Sequence, residues 1–411
     1  MLFLWNRIKI VCGHHLPLEI TIIGIFLSFS LNQGSIGDFM KACTVLFIFD
    51  FFTGNYNYKN LSRGHLTFLI VILFMLLLNF TVPGLSVHKR SLCYFLYFAG
   101  VVLAIDSLAV KFEKNGMGFF PYICAVSVII AVTIQFIEYF INLGKGQYGL
   151  YHNMHHLGFF AILTIPILFY FFCSSRGFLR YLLILPLFMD FYLLWESSSR
   201  IAWLAFFAAC FITFLLFFKI KDIIKLTVGL LLFSSLSLFI AGFSDVEKRF
   251  QDFASNWRQE ERIILWKDTV KMLTDNSAKD WIVGHGIGTF RNHYPKYSTY
   301  CVPDTTTPYS FTFPHNTILQ IIFENGLIGV ILFFGLFFLL FFSFKKKSLN
   351  LQDQSTFYLL ITTFCIFSAF FIFTFLTLPV YSRYTLCPAG LIIGLSLVMV
   401  KKTFNAQQIN N

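Results

Sequence analysis

Long apolar runs alternate with short polar connections along most of this chain, and one hydrophilic stretch interrupts them. The runs centre on residues 16–32, 36–52, 66–82, 92–110, 119–142, 157–173, 178–195, 201–218, 223–243, 316–342, 355–378 and 384–400. A bilayer crossing takes about 20 apolar residues. The pattern therefore predicts an all-α polytopic membrane protein with about 12 transmembrane helices. Very short loops separate the first pair of runs and the runs from 157 to 218. The hydrophilic stretch runs from Ser244 to Pro314, before the tenth crossing. Three regions follow: a membrane part over 1–243, a polar, partly helical domain over 244–314, and a membrane part with a C-terminal tail over 315–411.

Composition agrees with this division. Hydrophobic residues make up 57% of the chain and charged residues 12%, which is the signature of an integral membrane protein. No small-residue cleavage site follows the first apolar run, so it reads as a retained helix. With the N-terminus inside, the inner connections and tails hold 16 Lys and Arg and the short outer ones hold 6. That bias predicts cytoplasmic termini and a polar segment on the far side of the membrane. The net charge of +11 is thus mostly topological, and the polar segment balances nine acidic residues against nine basic ones. No basic, aromatic-interleaved stripe supports a nucleic-acid partner. Cys301 is the single cysteine of that segment, which excludes a disulfide within it.

Inside the polar segment, Asn256 with Gln259 forms a capping-box pattern ahead of Ile263, Trp266, Val270 and Leu273, and the spacing predicts an amphipathic helix over 257–274. A glycine-rich turn follows at Gly284, Gly286 and Gly288. Residues 291–314, with four prolines, read as irregular loop.

Candidate chemistry gathers around this segment. On a helix Arg258, Arg262 and Trp266 share a face. A guanidinium fork there matches phosphate oxygens, or pairs with Glu261 or Asp268. Arg200 ends the run Ser197-Ser198-Ser199 at the mouth of an apolar helix, where lipid phosphate or a substrate pyrophosphate would satisfy it. His315 stands at the start of the tenth run and reads either as a general base or as a helix cap. Asn316, Gln320 and Glu324 extend a polar stripe from it. The G-x-G-x-G run reads as a tight turn more readily than as a phosphate cradle. His152, His155 and His156 lack a second ligand cluster, so no metal centre is expected. Ionisable residues within the runs are few: Asp50, Asp106, Glu138, Asp190 and Glu324. Asp106 is the best placed for ion-coupled transport, while most of the others fall near span ends, where snorkelling or a local hydrogen bond accounts for them.

Three blocks resemble one family, the O-antigen ligase and polymerase superfamily of GT-C type membrane glycosyltransferases. They are Ser197-Ser-Ser-Arg200-Ile-Ala-Trp203-Leu, then Arg262-Ile-Ile-Leu-Trp266 with Gly284-His-Gly-Ile-Gly288-Thr-Phe290, and the most specific, Pro314-His315-Asn316 running on to Glu324-Asn-Gly326-Leu-Ile-Gly329. Where the family has Asn-Pro before the glycine turn, this chain has Ala278-Lys279-Asp280-Trp281. The resemblance implies a GT-C-like fold and transfer of an undecaprenyl-pyrophosphate-linked O-antigen to the lipid A-core, in the bacterial inner membrane, on the periplasmic side, with inversion and without a metal or other cofactor. It implies that Arg200 and Arg262 bind the pyrophosphate and that His315 deprotonates the acceptor, with Asn316, Glu324, Arg258 and Trp266 in support. A polymerase joining two lipid-linked glycans is the nearest alternative. A lipid-linked glycan transporter fits less well, given the scarcity of charges in the spans.

Overall fold

The computed structural model describes residues 35–52, 61–80, 89–115, 119–142, 154–175, 177–217, 261–299, 311–348, 354–377, 385–386, 389–394 and 397. The expected crossings at 16–32 and 223–243 lie outside the described residues, as do Asn256, Arg258, Gln259 and Cys301. Among the described residues the chain is helical and has no strand. We number the helices α1 (Ser35–Phe52), α2 (Arg63–Phe80), α3 (Lys89–Asn115), α4 (Phe119–Ile141), α5 (Met154–Ser174), α6 (Phe178–Leu182), α7 (Ile184–Glu196), α8 (Arg200–Phe217), α9 (Glu261–Thr274), α10 (Ala278–Val283), α11 (Phe290–His293), α12 (Thr317–Ser348) and α13 (Gln354–Leu376). Four stretches among them are long and apolar enough to cross a membrane: His155–Ser174, Arg200–Phe217, Thr317–Phe344 and Phe357–Leu376. The protein is membrane-embedded.

One expected crossing divides. The run 178–195 breaks at Leu183 into α6 and α7. Pro186 accounts for the break, because its ring would collide with the carbonyl four residues back in a continuous helix and is tolerated only in a first turn.

Helix α8 lies along α13, and α5 lies against both α7 and α13. Phe159 of α5 stacks on Phe373 of α13, with ring centroids 5.0 Å apart. Close approach of α5 to the start of α8 rests on Gly158. A β-carbon there would lie 2.7 Å from that of Ala202 and 3.1 Å from that of Ser199. Small residues at a helix crossing allow this in a membrane, where van der Waals contact between backbones stabilises association.

Helix α12 is broken within its apolar stretch. Gly326 has φ 64° and ψ −168°, values that suit glycine and strain other residues. The break frees backbone carbonyls that a membrane cannot satisfy. The glycine turn satisfies two of them: His285 N–H donates to the Phe323 carbonyl at 2.9 Å and Gly286 N–H to that of Glu324 at 2.8 Å. Gly284, at φ 76°, faces the break so closely that a β-carbon would run into the backbone of Glu324 and Asn325, and one on Gly326 into that of Ile282 and Val283. Two glycines from distant parts of the chain thus permit one backbone-to-backbone contact.

Three of the charges expected inside spans, Asp50, Asp106 and Glu138, find local partners. Ser107 of α3 donates to Asp50 of α1 at 3.0 Å, and Asp106 lies 3.6 Å from His65 of α2, whose other ring nitrogen bonds Ser62 at 2.7 Å. Asp50, His65 and Asp106 are buried. This cluster ties α1, α2 and α3 together, and Asp106 has a structural partner where transport would want an ion. At the end of α4 the Asn142 amide donates to Glu138 at 3.2 Å.

Candidate functional site

The polar segment packs a small core against the start of α12. Leu265, Met272, Leu273, Phe290, Tyr294, Phe311 and Phe323 pack together, with Trp266 and Trp281 at the edge. The buried face of α9 matches the expected one only in part, at Leu273 and Trp266. Leu265, Asp268, Thr269, Met272 and Leu273 are inside and Val270 is 49% exposed. Asp268 can occupy that face because Thr299 donates to it from N–H at 2.9 Å and from its hydroxyl at 2.7 Å, and Tyr294 from its phenol at 3.1 Å. A polar residue on the inner face shifts the periodicity that hydrophobicity alone suggests.

Ahead of the glycine turn, where the family pattern has Asn-Pro, this chain forms α10. Ser277 caps it, accepting from Asp280 N–H at 3.2 Å while Asp280 accepts from Ser277 N–H at 3.2 Å. This reciprocal capping box is legible as Ser-x-x-Asp. The stretch expected as loop over 291–314 also holds the short helix α11 and a 3-10 turn at Tyr294–Lys296.

His315 stands between this core and the membrane helices. It is one of two non-glycine residues with positive φ among the described residues, at 49°, a conformation that costs on the order of 1 kcal/mol. The cap of α12 is its neighbour: Asn316 Oδ1 accepts from Leu319 N–H at 3.1 Å. The left-handed turn directs the imidazole to α13, where Nδ1 lies 2.9 Å from the carbonyl of Thr377. A carbonyl only accepts, so Nδ1 carries the proton and Nε2 keeps its lone pair. Burial, with the Arg262 charge adding to it, lowers the His315 pKa from 6.5 to about 4 against the opposing bond to Thr377. The ring is neutral at pH 7, with Nε2 ready to accept a proton.

Arg262 projects from the first turn of α9 toward the same place. Its guanidinium donates to the Leu376 carbonyl at 3.4 Å and lies 3.4 Å from Nε2 of His155. The other ring nitrogen of His155 lies 3.0 Å from the hydroxyl of Ser199, the residue before Arg200. Trp266, one turn further along α9, donates its indole N–H to the Pro314 carbonyl at 3.0 Å. That bond fixes α9 to the residue preceding His315.

Of the residues singled out from sequence, the structure brings His315, Arg262 and Trp266 together. Arg258 lies outside the described residues. Arg200 is exposed at the start of α8, and among the described residues no hydrogen bond joins it to Arg262 or His315. Asn316 is a helix cap. Glu324 is 1% exposed and grips the glycine turn, accepting from Gly288 N–H at 2.8 Å and Phe290 N–H at 3.4 Å. His155 and the carbonyls of Leu376 and Thr377 complete the site. The histidine run from His152 to His156 was visible, but nothing local in it selects His155. Helix packing does.

Comparison with known proteins fits this arrangement. Residues 185–334 match the model of a family described as O-Antigen ligase. Over that stretch the chain is similar to the O-antigen ligase/polymerase family, whose members are membrane glycosyltransferase-like enzymes. The match begins in α7 and ends within α12, so it takes in Arg200, Arg262, the glycine turn and His315. No curated protein matches the chain.

Proposed function

We propose that this protein is an O-antigen ligase that moves a glycan from undecaprenyl pyrophosphate to the lipid A-core. The observation that carries the reading is the neutral His315 ring, fixed through Nδ1 with Nε2 available, beside the Arg262 fork. In the proposed step an acceptor hydroxyl gives its proton to Nε2 as its oxygen bonds to the anomeric carbon. The bond from that carbon to the pyrophosphate oxygen breaks, and its electron pair leaves on the phosphate. Arg262, with Arg200 on the approach from the surface, stabilises the charge that develops there. Attack opposite the leaving group inverts the anomeric centre. Positioning and charge stabilisation suffice when the leaving group is this good.

An apolar cleft supports a lipid-borne donor. It is lined by Met75, Phe95, Phe333, Phe337 and Phe371, with Thr317, Thr374 and Thr385 as its polar lining residues. Thr317 donates to the Thr374 carbonyl at 2.9 Å, within a few residues of His315 and Thr377. A polyprenyl tail in this cleft would deliver its pyrophosphate toward Arg262. The reading takes the regions 1–243, 244–314 and 315–411 as a GT-C-like membrane body, periplasmic domain and closing helices, with both termini in the cytoplasm of a bacterium and the site on the periplasmic face of the inner membrane.

Lipopolysaccharide gel profiles of a deletion strain, complemented with wild type or His315→Ala, test this. Bare core with long glycan retained on the carrier, rescued by wild type alone, supports the ligase. Core capped by a single repeat assigns the protein to polymerisation, and an unaltered profile removes both.

A further inference from the structure

We propose that His155 is a positioning residue that aims Arg262 at an isoprenoid pyrophosphate, acting through a Ser199–His155–Arg262 line of hydrogen bonds. The assignment rests on the functional reading above and adds to it a residue from α5, outside the three blocks that resemble the family and before residue 185, where the family match begins.

The hydrogen-bond roles follow from the partners. A guanidinium has donors and no acceptor, so Nε2 of His155, 3.4 Å from Arg262, presents a lone pair. The proton of a neutral imidazole then sits on Nδ1 and is donated to the Ser199 hydroxyl at 3.0 Å. That hydroxyl also accepts from Ala202 N–H at 3.4 Å, which makes Ser199 the cap of the helix that opens with Arg200. A single imidazole thereby joins the start of the Arg200 helix to the Arg262 fork. The position of the ring is fixed by packing: Gly158, one turn along α5, admits Ser199 and Ala202 at contact distance.

The arrangement has a directional consequence. Arg262 reaches the site from α9 in the polar segment, while its acceptors belong to α5 and to the end of α13. An arginine that must meet two phosphates needs its plane set, not only its charge supplied. The Leu376 carbonyl fixes one edge of the fork and His155 the other. Protonated, His155 would present a donor to a donor and release the fork, so the aim of Arg262 depends on a neutral ring.

Binding of farnesyl pyrophosphate to the purified full-length protein tests the assignment. His155→Ala is expected to weaken binding about tenfold, as loss of a charge-assisted hydrogen bond does. His155→Gln, which returns an acceptor near Nε2, is expected to recover most of that loss. The decisive reading is the cycle with Arg262→Ala. If His155 acts through Arg262, the double variant binds no more weakly than Arg262→Ala alone. Additive losses, or wild-type affinity in His155→Ala, would overturn the assignment while leaving the ligase reading intact. Wild-type protein that ignores farnesyl pyrophosphate would instead overturn the pyrophosphate reading, and this assignment with it. Ser199→Ala supplies a second cycle should His155→Ala fail to fold, with an expected loss of about threefold that also vanishes in the Arg262→Ala background.

Discussion

The carboxyl group of Glu324 holds the backbone N–H of Gly288, 36 residues earlier in the chain, at 2.8 Å. Helix α12 therefore reaches out of its own cylinder to fasten the glycine turn, and the turn in return fills the carbonyls freed at Gly326. Glu324→Ala strips acceptors from buried N–H groups and is expected to cost about 1–3 kcal/mol. Faster hydrogen exchange over residues 284–290, together with reduced glycan transfer, is the predicted result. Glu324→Gln keeps one acceptor oxygen and should fall between the two. Exchange unchanged in the alanine variant would show that the turn is held by other means.

Gly326→Ala and Gly284→Ala attack the same junction from its two sides. Each substitutes a residue at positive φ and drives a methyl group into facing backbone. Each should cost more than about 1 kcal/mol, and their effects should fall short of additive because either one opens the contact. Thermal unfolding of the detergent-solubilised protein measures this. Gly335, whose added β-carbon meets nothing within 4 Å, is the control, and Gly335→Ala should leave the melting temperature within error.

The state of His315 sets a pH signature. Its folded pKa, near 4, lies below the ordinary 6.5, so the folded protein resists protonation that the unfolded chain accepts. This contribution leaves stability untouched above pH 6.5 and lowers it as pH falls from 6.5 toward 4. His315→Gln should flatten that part of the stability curve. In transfer, kcat/KM for the free enzyme should hold down to about pH 5 and then fall. The bound pyrophosphate brings negative charge and raises the pKa, so the acid limb of kcat should lie at higher pH than that of kcat/KM. Coincident limbs near 6.5 would place the titrating base elsewhere.

Arg262→Lys keeps the charge and loses the fork. A single ammonium cannot hold the Leu376 carbonyl and the His155 ring in the geometry seen and still face two phosphates. Transfer by this variant should drop by about tenfold or more with the protein folded and inserted. Equal rates would mean that charge alone is required.

The helical, membrane-embedded character was legible because apolar runs of bilayer length leave few alternatives to a helix. The break in α12 was not. Glu324-Asn325-Gly326 reads as a helix interior, and only the facing Gly284 reveals why the glycine is there. The site was half legible. His315, Arg262 and Trp266 could be named because their residue types suit pyrophosphate and proton transfer and stand at helix starts. Arg200 was paired with Arg262 from sequence, and in the structure it is exposed at the start of α8. The inner face of α9 was read in part: Leu273 and Trp266 pack inward as expected, but a buried aspartate satisfied by Tyr294 and Thr299 looks like a solvent position. His155 was passed over, because its role depends on the approach of α5 to α8 that Gly158 allows, a relation between helices that no local pattern carries.

The break at Gly326 also changes what is fastened to what. It divides α12 into a short head, which carries Gln320 and follows directly on His315, and a long shaft. The head is riveted to the glycine turn by Glu324 and to α9 by the indole of Trp266. The shaft keeps company with α2 and α13. The proposed base, just ahead of that head, is thus tied to the polar segment through the Trp266 bond at Pro314 and to the end of α13 through its own bond to Thr377.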